Sequence, residues 1–268
     1  MQDNKPPPAA AMTMAQSWMM AAKNWKTWIA ALCYAMSFGA ELTVNGNMSN
    51  YFQAGFALNP SDAALYAGTF GLVNICARSA GGYMSDVFNS RWGIRGRLWA
   101  LFIQTLLMGL LLIGFSTSTL DSNGIEGAMV WLFFWAFLTS MTCGGLYSVV
   151  PFIEPSAVGG VSGIVGAGGN AGALFGMQIM SIGPRPGFLF IGFLSIATAV
   201  LVPLLWMPGS GSMFSPQAPP KKEPDAIEGA AVQMTSDAPT KMLNQTPQIP
   251  YGPAPTFIQF PHGMPMPM

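Results

Sequence analysis

Two charged side chains lie deep within apolar stretches of the chain, and both could act on an ion. Arg78 stands roughly 12 Å along a helix from Asp86, near the midplane of a bilayer, and Glu41 lies similarly deep in the preceding stretch. A guanidinium binds planar oxyanions through two parallel hydrogen bonds, whereas a carboxylate can carry a proton. The residues therefore predict either an anion site at Arg78 with a proton carrier at Glu41, or a structural ion pair that joins two helices.

A second feature is the glycine-rich run Gly163–Ala173, whose five glycines leave little side chain on one flank. Such a helix lets a neighbouring backbone or a small solute come very close. The spacing of Gly168, Gly172 and Gly176 is typical of tight helix packing, while the alternative interpretation is the wall of a pathway for a polar solute. The lining residues of that pathway would be Gly166, Gly168, Gly169 and Asn170.

A third constellation lies between two apolar stretches that are joined by a short link. Gly82 and Asp86 precede the link, and Arg95 and Arg97 follow it. Opposite charges at such a place can lock one conformation and release it in another, which predicts a gating motif. The alternative is that these charges only fix membrane topology and end a helix.

The composition excludes several classes of protein. Hydrophobic residues make up 51% of the chain and charged residues only 8%, whereas soluble domains carry roughly 25% charged residues. The formal net charge of zero argues against a nucleic-acid partner. No nucleophile, base and acid occur together, the one histidine is His262 near the end, and no motif for a metal or cofactor is present. Cys33, Cys76 and Cys143 are interpreted as small apolar core residues.

Six stretches are long and apolar enough to cross a membrane, each about 20 residues, and they predict an all-α membrane protein. Their predicted bounds are Trp28–Met48, Ala63–Val87, Leu98–Phe115, Ala128–Val150, Val158–Met180 and Gly187–Met207. Basic residues occur before the first stretch, between the second and third, and after the sixth, whereas the connections on the other side carry only Arg185. Because lysine and arginine favour the cytoplasmic side, both termini are predicted to be cytoplasmic.

The chain is thus divided into a cytoplasmic segment (1–26), a six-helix transmembrane domain (27–207) and a disordered cytoplasmic tail (208–268). The tail contains more than half of the 22 prolines and lacks any sustained apolar period. Within the first segment, Met12–Lys26 could form a short helix at the membrane interface. The alternative is a linker with scattered apolar residues.

Several of these motifs together resemble one family, the nitrate/nitrite porters of the major facilitator superfamily, and especially the eukaryotic high-affinity nitrate transporters. The spacing from Gly82 and Asp86 to Arg95 and Arg97 resembles the loop motif of the superfamily, and Gly166–Ala173 resembles the nitrate signature. The other matching segments are 38–43, 74–78 and 150–152, and the similarity covers about residues 24–206.

The resemblance implies two six-helix halves with nitrate or nitrite bound between them, moved by alternating access with proton symport. This chain resembles the C-terminal half, so that Arg78 would contact the anion, in a plasma membrane protein of nitrate assimilation that needs no cofactor. The first six helices and their own arginine are not in this sequence. The chain is therefore expected to pair with a second six-helix half or another porter chain. The alternative is a non-transporting subunit or truncated fragment that packs against a full-length porter.

Overall fold

The computed structural model describes residues 13–118, 124–207 and 211–215, and most of this part is helical. The helices are α1 (Met14–Lys23), α2 (Trp25–Tyr34), α3 (Ala40–Phe56), α4 (Pro60–Trp92), α5 (Ile94–Ser116), α6 (Gly124–Tyr147), α7 (Val158–Met180) and α8 (Pro184–Leu201). A π-helical turn, Ala35–Gly39, joins α2 to α3, and 3-10 turns occupy Val150–Phe152, Pro155–Ala157 and Val202–Leu204. The strands β1 (Trp206–Met207) and β2 (Gly211–Ser212) pair antiparallel after the last helix.

The chain turns between α1 and α2 at Asn24, which serves both helices. Thr13 and Gln16 form a capping box at the start of α1, which satisfies backbone N–H groups that a helix start leaves without partners. Asn24 ends α1, and its side chain then accepts a hydrogen bond from the backbone N–H of Lys26 (3.2 Å), at the start of α2. The helical alternative for Met12–Lys26 is therefore correct for the part that α1 covers.

Within the described residues, five helical segments are long and apolar enough to cross a membrane. They are Trp25–Phe56, Ile94–Ser116, Gly124–Phe152, Pro155–Met180 and Pro184–Leu204. The remaining predicted span, Ala63–Val87, lies within α4, which is the longest helix of the described part with 33 residues. Because Asn74, Arg78 and several glycines interrupt its apolar residues, α4 is not apolar enough to count with the other five.

The sixth span ends slightly before the predicted Met207, because α8 ends at Leu201 and the 3-10 turn after it ends at Leu204. Pro203 explains the early end, since proline lacks a backbone N–H and its ring clashes with the preceding helical turn. The predicted disordered tail also begins too early. Residues 211–215 are structured, Met213 is buried, and the indole N–H of Trp99 donates a hydrogen bond to its carbonyl (3.2 Å). Residues 216–268 of that tail lie outside the described residues.

The backbones of α4 and α6 approach each other closely at two glycines. A side chain at Gly81 would collide with the backbone of Met141, and one at Gly144 would collide with the carbonyl of Arg78. The two backbones therefore lie against each other without side chains between them, as in membrane helices that associate through small residues. This contact fixes the height of Arg78 relative to α6.

One face of α4 has no partner within the described part of the chain. Leu65, Leu72, Ile75 and Tyr83 are each between 69% and 74% exposed. Cys76 is also exposed, whereas Cys33 and Cys143 are buried. The prediction of a core role is therefore wrong for Cys76, because its helix turns that residue to the unpartnered face.

Candidate functional site

The two deep charges meet in the folded chain. Arg78 Nη2 lies 3.2 Å from Glu41 Oε2, which joins α4 to α3 through an ion pair. The two partners differ in burial, since the side chain of Glu41 is 7% exposed and that of Arg78 is 44% exposed. The ion-pair alternative thus describes the contact, but it leaves nearly half of the Arg78 side chain accessible.

The guanidinium of Arg78 contacts Glu41 through one nitrogen only. Within the described residues, its hydrogen bonds all come from Nη2, at 3.2 and 3.4 Å from the two carboxylate oxygens. Arginine carries five N–H donors in a planar fork. The Nη1 and Nε groups have no hydrogen-bond partner in that part of the chain, and each shares a planar fork with Nη2. A two-point contact with a planar oxyanion therefore uses Nη2 together with one of these two groups.

Glu41 is enclosed by polar groups from two other helices. The side-chain amide of Asn74 donates to Glu41 Oε1 (2.7 Å), and the Cys143 thiol lies 3.7 Å from Oε2. The hydroxyl of Ser140 in turn donates to the side-chain oxygen Oδ1 of Asn74. Asn74 lies one helical turn before Arg78, a spacing that places both on one face of α4, whereas nothing in the sequence links Ser140 or Cys143 to Glu41.

Aromatic rings connect Arg78 to the glycine-rich helix. The guanidinium lies over the ring of Phe38, 5.5 Å from its centroid, and Phe38 stacks on Tyr34 at 5.0 Å. Tyr34 meets the edge of Tyr147 at 5.2 Å. Phe38 belongs to the π-helical turn, a feature that is frequent at functional sites. Sequence reasoning did not assign a role to Tyr34 or Tyr147.

Most glycines of the run on α7 pack against α2 and the π-helical turn that follows it. A side-chain carbon at Gly168 would lie 2.9 Å from Ala31, and one at Gly172 would lie 2.6 Å from Ala35. At Gly169 it would lie 2.5 Å from the Tyr34 ring and 2.9 Å from that of Phe38. These glycines therefore support the packing interpretation, and Gly169 lies against the aromatic rings.

Gly166 and Asn170 lie on a different face of α7. A side-chain carbon at Gly166 would meet only the Tyr147 hydroxyl, at an ordinary distance of 3.7 Å. Asn170 is exposed, and its amide donates to the Gly166 carbonyl (3.2 Å). Of the four residues predicted to line a pathway, these two share the accessible side of the helix.

The predicted gating motif forms an ion pair with only one of its two arginines. Arg97 Nη2 lies 2.7 Å from Asp86 Oδ1, with the arginine side chain 12% exposed and the carboxylate 65% exposed. Arg97 Nη1 also donates to Ser85 Oγ (3.3 Å), and its guanidinium lies 5.7 Å from the Phe152 ring centroid. This pair joins the end of α4 to the start of α5.

Arg95 and Gly82 lie apart from that pair. Arg95 instead lines a shallow apolar groove with Trp92 and Trp99, and within the described ranges it forms no ion pair. A side-chain carbon at Gly82 would touch only the Ser148 hydroxyl, at 4.0 Å. The glycine that close packing requires is its neighbour Gly81, so the motif's glycine does not mark the tight contact.

Comparison with known proteins gives one consistent result. The sequence profile of the Major Facilitator Superfamily matches residues 27–255. Over 201 residues, the chain is 37% identical to Nitrate transporter 2.2 of Chlamydomonas reinhardtii, covering 72% of this chain and 39% of that protein. It is 38% identical to High affinity nitrate transporter 2.5 of Arabidopsis thaliana, with 72% and 38% covered. For a nitrate/nitrite transporter of Nostoc punctiforme, the identity is 30%, with 68% and 35% covered.

The chain thus spans about two fifths of the length of the curated relatives that it matches. No solved structure matches the chain significantly.

Proposed function

This chain belongs to the Major Facilitator Superfamily, and we propose that it forms the C-terminal half of a porter for nitrate or nitrite. The porter works by alternating access and couples anion uptake to protons. In this proposal α4 crosses the membrane with the five more apolar segments, which gives six spans with both termini in the cytoplasm. The plasma membrane is the proposed location. We call this chain together with a first six-helix half the assembled porter.

The observation that carries the proposal is the half-exposed Arg78 at the centre of a membrane helix. Charge at that depth costs at least about 2.5–3.5 kcal/mol, so such residues usually serve a pathway or a pair. Arg78 has a pair, yet Nη1 and Nε have no hydrogen-bond partner within the described residues. Nitrate is planar and monovalent, which suits a two-point contact with Nη2 and one of these groups once Nη2 leaves Glu41. The printed names of the relatives supply the choice of anion.

Proton coupling follows from competition for Arg78. An anion that draws the guanidinium away leaves Glu41 as a buried carboxylate without its cation, which is costly. Taking up a proton neutralises Glu41 and removes that cost. Anion binding and proton binding then favour each other, and release of one promotes release of the other.

The remaining site residues receive roles from their positions. Asn170 and the backbone beside Gly166 face the same side as Tyr147 and line the path next to the anion. Gly169 supports the rings of Phe38 and Tyr34 from behind, and Gly168 lets α7 pack against Ala31 of α2. Asp86 and Arg97 lock α4 to α5 at the cytoplasmic mouth, and Arg95 is available to exchange with Arg97 when the helices move.

A second six-helix half is the proposed partner, since alternating access in this fold moves one half against the other. The unpartnered face of α4 supports this, because it exposes four large side chains. The alternative function is that of a non-transporting subunit or fragment that packs against a full-length porter. The Arg78–Glu41 ion pair is the observation that favours the alternative, since such a pair can also join two helices without binding a solute.

Reconstitution separates the two functions. The chain is placed in proteoliposomes alone and together with the first six helices of the Chlamydomonas reinhardtii relative, and nitrate uptake is measured under an inward proton gradient. We expect saturable uptake only from the combination. A combination that assembles stably but moves neither nitrate nor nitrite would instead support the non-transporting subunit.

A further inference from the structure

Asn74 connects Glu41 to a third helix. The N–H of its side-chain amide donates to Glu41 Oε1 at 2.7 Å, and the oxygen of the same amide, Oδ1, accepts from the Ser140 hydroxyl. Glu41 and Ser140 are both buried, so the hydrogen bonds form away from solvent. The three residues come from α3, α4 and α6, and their contacts form one continuous path.

The direction of these hydrogen bonds is determined by the chemistry of their ends. An ionised carboxylate can only accept, so the NH2 end of Asn74 must face Glu41. Ser140 donates to the opposite end of the amide and thereby holds it in that orientation. Asn74 is thus matched to a charged Glu41, and an aspartate at position 74 would present an acceptor to an acceptor.

Glu41 is held at two different oxygens by two different residues. Asn74 holds Oε1, while the shorter contact of Arg78 is with Oε2 (3.2 Å). Loss of the Arg78 contact therefore leaves one strong hydrogen bond on the carboxylate. Hydrogen bonds to charged groups are among the stronger ones in proteins.

We propose that Asn74 is a positioning residue, which keeps Glu41 in place while Arg78 exchanges the carboxylate for the transported anion. This inference rests on the proposed function of the Arg78 site. Without Asn74, Glu41 would follow Arg78 or change its rotamer, and the proton step would lose its connection to the anion step. Ser140 acts through Asn74 by fixing the orientation of the amide.

Within the described residues, three other titratable groups lie near the contact between Asn74 and Glu41. They are Arg78 on α4, the Cys143 thiol on α6 at 3.7 Å from Glu41 Oε2, and Tyr34 on α2, which interacts electrostatically with both Arg78 and Cys143. An added carboxylate at position 74 would be the nearest of all to Glu41. Two facing carboxyl groups favour sharing one proton, since both cannot ionise cheaply.

The test uses nitrate uptake by the assembled porter with Asn74→Leu, a change of similar volume. We expect uptake at neutral pH to fall at least about tenfold, as for loss of a hydrogen bond to a charged group. In a Glu41→Gln background the same change should cost less than about twofold more, because it acts through Glu41. Asn74→Asp should be inactive at pH 7.5 and recover in part at pH 5.5.

Thr105→Val is the matched control, because it removes a buried hydroxyl that donates to the Leu101 carbonyl (2.8 Å) away from Glu41. It should leave the pH profile unchanged. Normal uptake by Asn74→Leu, or an equal loss in both backgrounds, would overturn the role of Asn74.

A second measurement separates this inference from the proposed function. Thermal unfolding of the purified chain is compared for Asn74→Leu, Glu41→Gln and the double variant. We expect a clearly non-additive cycle, since the residues share a hydrogen bond. If the unaltered assembled porter moves no anion, the proposed function fails, while an additive cycle would show independently that Asn74 does not hold Glu41.

Discussion

The part of the chain that the structure describes contains two arginine–carboxylate pairs whose burial is reversed. In the inner pair the carboxylate of Glu41 is buried, at 7% exposure, and Arg78 is 44% exposed. In the outer pair Arg97 is buried, at 12% exposure, and Asp86 is 65% exposed. Both arginines also lie over a phenylalanine ring, so the difference is not in the type of contact.

The reversed burial indicates two different tasks. An accessible guanidinium that is paired with a buried carboxylate can bind an anion and release the carboxylate, which can then take up a proton. A buried guanidinium with an accessible carboxylate cannot receive a solute, but its partner can swing into solvent and let two helices separate. The inner pair is therefore suited to binding and coupling, and the outer pair to locking.

The largest expected effect comes from Gly169→Leu, which removes the support of the inner pair. The added side chain would enter the space of the Tyr34 and Phe38 rings, and overpacking costs about 1–3 kcal/mol or more. We expect most of the protein to be lost from the monodisperse fraction after detergent extraction. Gly166→Ala is the control and should keep its yield. Equal yields for both variants would show that the rings are not held by α7.

Glu41→Gln should sharpen the comparison, because it neutralises the buried carboxylate of the inner pair. We expect uptake to lose its dependence on the proton gradient and accumulation to fall about tenfold, since the proton carrier is gone. Asp86→Asn, the equivalent change in the outer pair, should keep the pH dependence. The measurement is initial nitrate uptake at pH 5.5 and 7.5. A pH-dependent Glu41→Gln porter would exclude Glu41 from the coupling step.

Phe38→Leu should have a smaller effect, confined to the inner pair. The contact between the Arg78 guanidinium and the ring contributes about 0.5–2 kcal/mol, so the half-saturating nitrate concentration should rise roughly 2- to 30-fold. Phe152→Leu removes the ring from Arg97 and should leave that concentration unchanged. Saturation curves of uptake for the two variants check this, and a matching rise in both would remove the distinction between the pairs.

The smallest expected effect is that of Asp86→Asn on stability. An ion pair whose carboxylate is largely exposed contributes about 1 kcal/mol or less, and Arg97 keeps its hydrogen bond to Ser85, so the unfolding temperature should change by only a few degrees. Glu41→Gln should shift it more, because the buried Glu41 carboxylate also accepts a hydrogen bond from Asn74 and contacts the Cys143 thiol, whereas the carboxylate of Asp86 is largely exposed. Thermal unfolding of the purified chain at low and high salt tests this ordering. A larger shift for Asp86→Asn would reverse it.

The sequence was most informative where one residue type is rare in its surroundings. Arg78 and Glu41 are expensive in apolar stretches, so a contact between them could be predicted as one of two alternatives before it was seen. Tyr34, Tyr147 and Ser140 were missed because they join the site only through packing between helices, which leaves no local pattern. The spacing of the glycines on α7 also could not show which of them pack against a neighbouring helix and which lie on the accessible side.

Helix ends and close contacts were predictable only in part. The end of α8 before Pro203 has a local cause that the apolar pattern concealed, since the residues beyond the proline remain hydrophobic. The motif drew attention to Gly82, whereas packing against Met141 requires Gly81. Which of two adjacent glycines faces a neighbouring helix depends on helix rotation, and tertiary contacts determine that rotation.

The most direct test of Arg78 as the anion ligand is nitrate binding by the purified assembled porter, measured by isothermal titration calorimetry at constant ionic strength. Arg78→Lys keeps the charge but loses the planar two-point contact, and Arg97→Lys makes the same change in the outer pair. We expect Arg78→Lys to weaken nitrate binding at least about tenfold and Arg97→Lys to bind like the unaltered porter. Unchanged affinity in Arg78→Lys would contradict the assignment of the anion site to the inner pair.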